Sequence, residues 1–152
     1  VESEEIKLFI QDALQTVDVA SQVNFNKTIT LRSGRLLLDK DRFVQMIVIL
    51  LDNAARYNYK NEAIDVKIES NDEMLTVQIT NLSENVNEID FDQIFDRYYR
   101  SRHARIVRPD GLGIGLHLAQ TIAKSHYGSI KAEAVSERYF RVTVEIPVKA
   151  VT

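Results

Sequence analysis

The sequence predicts an α+β fold: a two-layer sandwich in which one mixed, mostly antiparallel β-sheet carries its helices on one face. Three observations lead there. Several segments repeat apolar residues at helical spacing. Several others alternate apolar and polar residues, as half-buried strands do. The 152 residues contain no repeat, linker or low-complexity tract, and 45% of them are apolar, so one domain spanning 1–152 with one core is expected.

The elements follow in order. "SEEIKLFIQDALQTV" reads as an amphipathic helix with Ile6, Phe9, Ile10, Leu14 and Val17 on its apolar stripe, Ser3 as N-cap and acids in the first turn. "KTITLRS" alternates as a strand, a turn follows at Gly34, and "RLLLD" reads as a short strand. "DKDRFVQMIVILLDNAARYN" is the longest helix, with Asp39 or Asp41 near its start. "AIDVKIES" and "MLTVQITNL" are strands joined by the turn "NDE". "DFDQIFDRYY" reads as a short helix, and the basic run from Arg97 to Arg108 has no period and reads as a loop. "IGLHLAQTIAKSHYG" is a helix with Gly128 capping its C-terminus. "SIKAEAV" and "YFRVTVEIPV" are closing strands joined by "SER".

Composition narrows the function classes. With no cysteine there are no disulfides and no thiolate metal sites, which suits a cytosolic compartment. No run approaches 18 apolar residues, and the acidic, amphipathic start does not read as a signal peptide. A net charge of −3 argues against nucleic acid as a partner for the whole domain.

The chain has five glycines, and Gly111, Gly113 and Gly115 stand at every second position before an apolar helix. Such a loop lets backbone approach a ligand, and a helix start offers unpaired N–H groups and positive dipole charge, which together suit a phosphate. A P-loop would need Gly-Lys-Ser/Thr, which is absent. A dinucleotide fingerprint would need a preceding strand and a glycine where Leu116 stands. Arg97, Arg100, Arg102, Arg105 and Arg108 can supply charge to a polyphosphate. On the glycines alone, a solvated surface loop is an equal reading.

Three stretches in order carry a resemblance. "ILLDNAARY" looks like an asparagine box, "QIFDRYYRS" like a phenylalanine box opening an ATP lid, and "GLGIGLHLAQTIAKSHYGSI" like a second glycine box and its helix. Together they resemble the ATP-binding catalytic domain of bacterial sensor histidine kinases, whose Bergerat-type fold is shared with type II topoisomerases, a heat-shock chaperone class and mismatch-repair ATPases. The resemblance implies ATP and Mg²⁺ as cofactors and covers nearly the whole chain. It implies that Asn53 ligates Mg²⁺, a role an amide oxygen suits, and that Arg56 and Tyr57 reach phosphate or cap the nucleotide. It assigns Phe95 and Tyr98 to packing the lid's first turn, Arg97 and Arg100 to the basic lid, and Gly111, Gly113, Gly115 and Leu116 to the triphosphate loop.

The sequence departs from the family at two places. The first glycine box falls on Asn81, Ser83 and Asn85, where the family has Asp-x-Gly-x-Gly. Asn81 keeps one acceptor oxygen for the adenine amino group without the charge, and Ser83 and Asn85 add side chains beside the base. One turn before Asn53, where the family has a polar residue near the phosphates, stands Ile49, which cannot orient a water, a proton or a metal ligand.

The resemblance implies partners beyond this chain. The phosphoacceptor histidine would lie on a separate dimerisation domain, since His103, His117 and His126 lack an acidic neighbour of the expected kind and read as solvated or packed side chains. A response regulator would follow. No direct membrane contact is expected of the domain, which would form the cytoplasmic portion of a membrane-anchored sensor and be homodimeric only within the full-length protein. The competing reading is a degenerate, non-catalytic relative that binds nucleotide weakly or not at all and acts by docking. Nucleic-acid binding through Arg97–Arg108 and a free-standing serine kinase that binds a sigma factor rank below both.

Overall fold

A computed structural model describes residues 1–83, 86, 89–97, 99–100 and 115–148 of the chain. Its order is α1 (Ser3–Ser21), β1 (Phe25–Thr30), α2 (Lys40–Arg56), a 3₁₀ turn (Tyr59–Asn61), β2 (Ile64–Ser70), β3 (Met74–Leu82), α3 (Gly115–Ser125), β4 (Ser129–Ala134) and β5 (Tyr139–Pro147). The five strands form one sheet in the order β1-β2-β3-β5-β4. β1 runs parallel to β2, and the other three pairings are antiparallel. The sandwich expected from the sequence is therefore the one observed.

The alternation of each strand decides which face is covered. Val66, Ile79 and Val142 are in register across β2, β3 and β5, and all three are buried. They join Ile6, Ile10 and Leu14 of α1, Phe43, Met46, Ile47, Leu50 and Leu51 of α2, and Ala119, Ile122 and Ala123 of α3 in one apolar cluster. α2 packs against both α1 and α3. The other face is polar: Asp65, Lys67 and Glu69 of β2 are exposed, and Arg141 Nε donates to Thr80 Oγ1 at 3.0 Å across β5 and β3. Phe43 anchors the middle helix and is wholly buried; truncating such a side chain to alanine costs about 3–5 kcal/mol.

Four local expectations differ. Glu2, not Ser3, is the N-cap of α1, because backbone partners from the Gly34–Leu36 segment hold this end: Ser3 N donates to Gly34 O at 2.8 Å and Leu36 N to Val1 O at 2.7 Å. "RLLLD" forms no strand; a single bridge joins Arg35 to Glu2, and only Leu36 of the three leucines is fully buried. Phe9 leaves the apolar stripe and is 38% exposed, its ring covered by Lys40 Nζ at 4.4 Å. In place of the short helix expected for "DFDQIFDRYY", residues 90–97 form tight turns, with Gln93 N bonded to Asp90 O, Asp96 N to Gln93 O and Tyr99 N to Asp96 O. The Asp90 carboxylate accepts from Asp92 N at 3.0 Å and competes with helical pairing there. At the start of α2, Asp39 is the N-cap and accepts from Arg42 N at 3.2 Å.

Candidate functional site

α2 ends where Tyr57 N donates to Asn53 O at 3.3 Å, and the chain then turns through Asn58 into the 3₁₀ turn, with Lys60 at φ 58°. Three of the expected site residues therefore share the last turn of one helix. Asn53 is half-buried, and its side-chain amide has no hydrogen bond among the described residues. Arg56 Nε is 2.7 Å from Asp52 Oδ2, both side chains being close to half exposed. Tyr57 is half-buried, and its carbonyl accepts from Asn81 Nδ2 at 3.5 Å.

Asn81 joins this helix end to the end of β3. It is only 3% exposed, and its Nδ2 also donates to Leu82 O at 2.9 Å. Two backbone carbonyls thus fix the amide's orientation and leave Oδ1 as the group it can offer a ligand. A carboxylate has no N–H for either carbonyl. Nearby, Asn58 Nδ2 donates to Glu62 O, while Asn58 Oδ1 is buried with no partner among the described residues.

α3 brings the third wall. Ile49 Cγ2 lies 3.5 Å from where a Cβ on Gly115 would stand, an ordinary contact. The described protein atoms therefore do not forbid a side chain at Gly115. Leu116 is half-buried against the core. α2 and α3 run antiparallel, for at their other ends Asp39 N donates to His126 Nε2 at 3.0 Å and His126 Nδ1 bonds Ile122 O at 2.9 Å. The imidazole thus carries its proton on Nδ1 and is a bridge between helices rather than a solvated side chain.

The C-terminal end of α3 also corrects the cap. Tyr127, at φ 61°, is the left-handed residue; its N–H donates to Lys124 O at 3.0 Å, and Gly128 N donates to Ala123 O at 2.9 Å. Gly128 is required for space instead, since a Cβ there would collide with Glu145 O and stand 2.9 Å from Ile146 Cγ1.

The turn run between β3 and α3 rests on the sheet and on α3. Phe91 stacks on Phe140 with centroids 6.1 Å apart, and Ile94 is buried. Phe95 is half-buried against the core, and its carbonyl accepts from His117 Nδ1 at 3.2 Å. Arg97 is exposed and Arg100 half-buried, and each has an interaction partner. Tyr98, Asn85, Gly111, Gly113, His103 and the arginines from 102 to 108 lie outside the described residues. Sequence reasoning missed the bridging histidines, because their partners are distant in the chain.

Among the described residues no three His, Cys, Asp or Glu side chains converge as a cation cage. The Asn53 amide oxygen still fits a hard cation whose remaining ligands are phosphate oxygens and water. No helix among them is long and apolar enough to cross a membrane.

Comparisons with known proteins bear on the fold and the family. Residues 38–150 match the family model described as histidine kinase-, DNA gyrase B- and HSP90-like ATPase. The signal transduction histidine-protein kinase ArlS of Staphylococcus aureus is 34% identical over 110 residues, which are 72% of this chain and 24% of that protein. The chain thus spans about a quarter of the length of the curated relatives it matches. Among solved structures, a mycobacterial sensor histidine kinase, MprB, superposes with TM-score 0.80 over 99% of both chains at 19% identity. The Acinetobacter baumannii histidine kinase AdeS gives 0.69 over 99% of this chain and 66% of its own, at 17% identity. These two show the shared fold, and the matched sequence shows the membership: the chain belongs to the histidine kinase-, DNA gyrase B- and HSP90-like ATPase family.

Proposed function

We propose that this chain is the ATP-binding catalytic domain of a two-component sensor histidine kinase, donating the γ-phosphoryl of ATP to a histidine on a separate dimerisation domain. The observation that supports this most is the meeting of three elements: the last turn of α2 with its Asn53 amide, which has no partner among the described residues, the end of β3 with Asn81, and α3 at Gly115. Asn53 holds the metal through its amide oxygen. The ion so held would supply charge neutralisation to the phosphates. Arg56 exchanges its Asp52 partner for a phosphate, one anion for another. Asn81 offers Oδ1 to the adenine amino group while its N–H groups stay on the Tyr57 and Leu82 carbonyls. Tyr57 and Asn85 border the base. Gly111, Gly113, Gly115 and Leu116 form the phosphate loop, and Arg97 and Arg100 add positive charge from the turn run.

With no base or nucleophile assigned to the domain, catalysis is positioning and charge neutralisation. In the full protein the domain is the cytoplasmic portion of a membrane-anchored homodimer, its partners are the dimerisation domain and a response regulator, and nucleic acid is not a ligand. The test is calorimetric titration with a non-hydrolysable ATP analogue, with and without Mg²⁺. The expected result is Mg²⁺-dependent binding that Asn53→Ala weakens at least about tenfold, roughly 1.4 kcal/mol, with an unchanged melting temperature. A folded protein that binds no analogue at millimolar concentration would leave docking without nucleotide as the function.

A further inference from the structure

The turns that begin at Asp90 close on themselves. Beside their backbone bonds, Asp90 N donates to the Tyr99 hydroxyl oxygen at 2.9 Å. This unit rests on the sheet through the stack of Phe91 on Phe140 and through the buried Ile94. A side chain joins it to α3: His117 Nδ1 donates to Phe95 O at 3.2 Å. His117 is half-buried in the first turn of that helix. Phe95 stands two residues before Arg97, and His117 two residues after Gly115. The bond therefore ties together the two points from which the chain leads to the expected phosphate partners Arg97 and Gly115.

We infer that His117 is a positioning residue for the phosphate side of the proposed nucleotide site: through the Phe95 carbonyl it holds Arg97 and the start of α3 in one arrangement. The inference rests on the proposed ATP reading. His117 touches no ligand in this role. A surface unit held by one ring stack and one buried aliphatic side chain opens at low free energy. One hydrogen bond, worth about two- to tenfold in an equilibrium, then changes the fraction that is docked. A ligand that needs the docked arrangement binds more weakly as that fraction falls. Global unfolding is little affected, because undocked turns leave the helices and the sheet in place.

The test compares His117→Ala, which removes the donor, with His117→Asn, whose side-chain Nδ2 can stand where Nδ1 stands. Three quantities are read for each: amide hydrogen exchange over residues 90–97 without ligand, affinity for a non-hydrolysable ATP analogue with Mg²⁺, and melting temperature. In His117→Ala, exchange over 90–97 rises about fivefold and affinity falls about threefold, while the melting temperature stays within about 2 °C. His117→Asn returns both exchange and affinity to within about twofold of wild type. Alanine is the better helix former, so His117→Ala melts no lower than His117→Asn. A merely structural His117 makes affinity follow that same order, and a positioning His117 reverses it. Equal losses of affinity in the two variants overturn the inference, since the effect then belongs to the packing of the ring. Should His117→Ala not fold, His117→Leu removes the donor, keeps the bulk and carries the same test. A wild type that binds the analogue while His117→Ala binds it equally well overturns this inference alone. A wild type that binds no analogue overturns the ATP reading along with it.

Discussion

The two ends of the α2–α3 helix pair are built on opposite plans. At one end, Asp39 caps α2, its own N–H reaches His126, and α3 closes through paired carbonyls into a glycine wedged against β5. Polar groups there are matched within the protein. At the other end, the Asn53 amide has no partner among the described residues, and Asn58 Oδ1 is buried without one. A buried atom such as Asn58 Oδ1, left unmatched, costs about 1–3 kcal/mol. The contrast teaches that the polar groups of one end are matched within the fold, while those of the end proposed to meet the nucleotide are not matched among the described residues.

Substitutions at the two ends should therefore separate stability from binding. Gly128→Val has the largest expected effect. Its side chain meets the β5 backbone, which cannot step aside, so stability falls by about 3 kcal/mol or more and the melting temperature by roughly 10 °C. Thermal denaturation checks this, and a stable variant would mean that β5 yields at Glu145. Asn53→Ala is the mirror image: a loss of affinity of about tenfold or more with no loss of stability. A fall in melting temperature would place Asn53 among the structural groups and break the contrast.

His126→Ala comes next. It leaves the Asp39 N–H without its acceptor and costs about 1–2 kcal/mol, read by chemical denaturation. Analogue affinity should stay within about twofold, and a larger change would show that the helix pair transmits strain along its length. The smallest effect belongs to Asp52→Asn. The half-exposed ion pair contributes about 0.5 kcal/mol at most, so stability barely moves. Arg56 is released toward the ligand, and affinity for the Mg²⁺ complex should rise at low salt. A fall in affinity would mean that Asp52 orients Arg56 rather than competing for it.

The sequence made the architecture legible wherever a repeating pattern met a single buried face. β2 reads Ile64, Val66, Ile68 inward and Asp65, Lys67, Glu69 outward, which only a sheet with one covered face explains. It misled where apolar residues were dense without such a face. Leu36, Leu37 and Leu38 look like a strand, yet Leu37 is 62% exposed and the segment only follows the N-terminus. Phe91, Ile94, Phe95 and Tyr99 have helical spacing, but Phe91 is drawn onto Phe140 and Asp90 bonds its own backbone, so turns result. At the site, Asn53, Arg56 and Tyr57 were legible as neighbours because one helix carries them. The orientation of the Asn81 amide was not, since it depends on the Tyr57 carbonyl 24 residues away. The His126 bridge spans 87 residues and has no local signature.

The order of the sheet has a consequence for the molecule in concentrated solution. β1 and β4 are its edges, and each is only six residues long. An open edge is a template on which a second chain can add a strand. Lys27 on β1 and Lys131 and Glu133 on β4 place charges along those borders, so a neighbouring strand would have to bury charge to dock. Short, charged edges of this kind hold back edge-to-edge aggregation, and valines at these three positions would invite it.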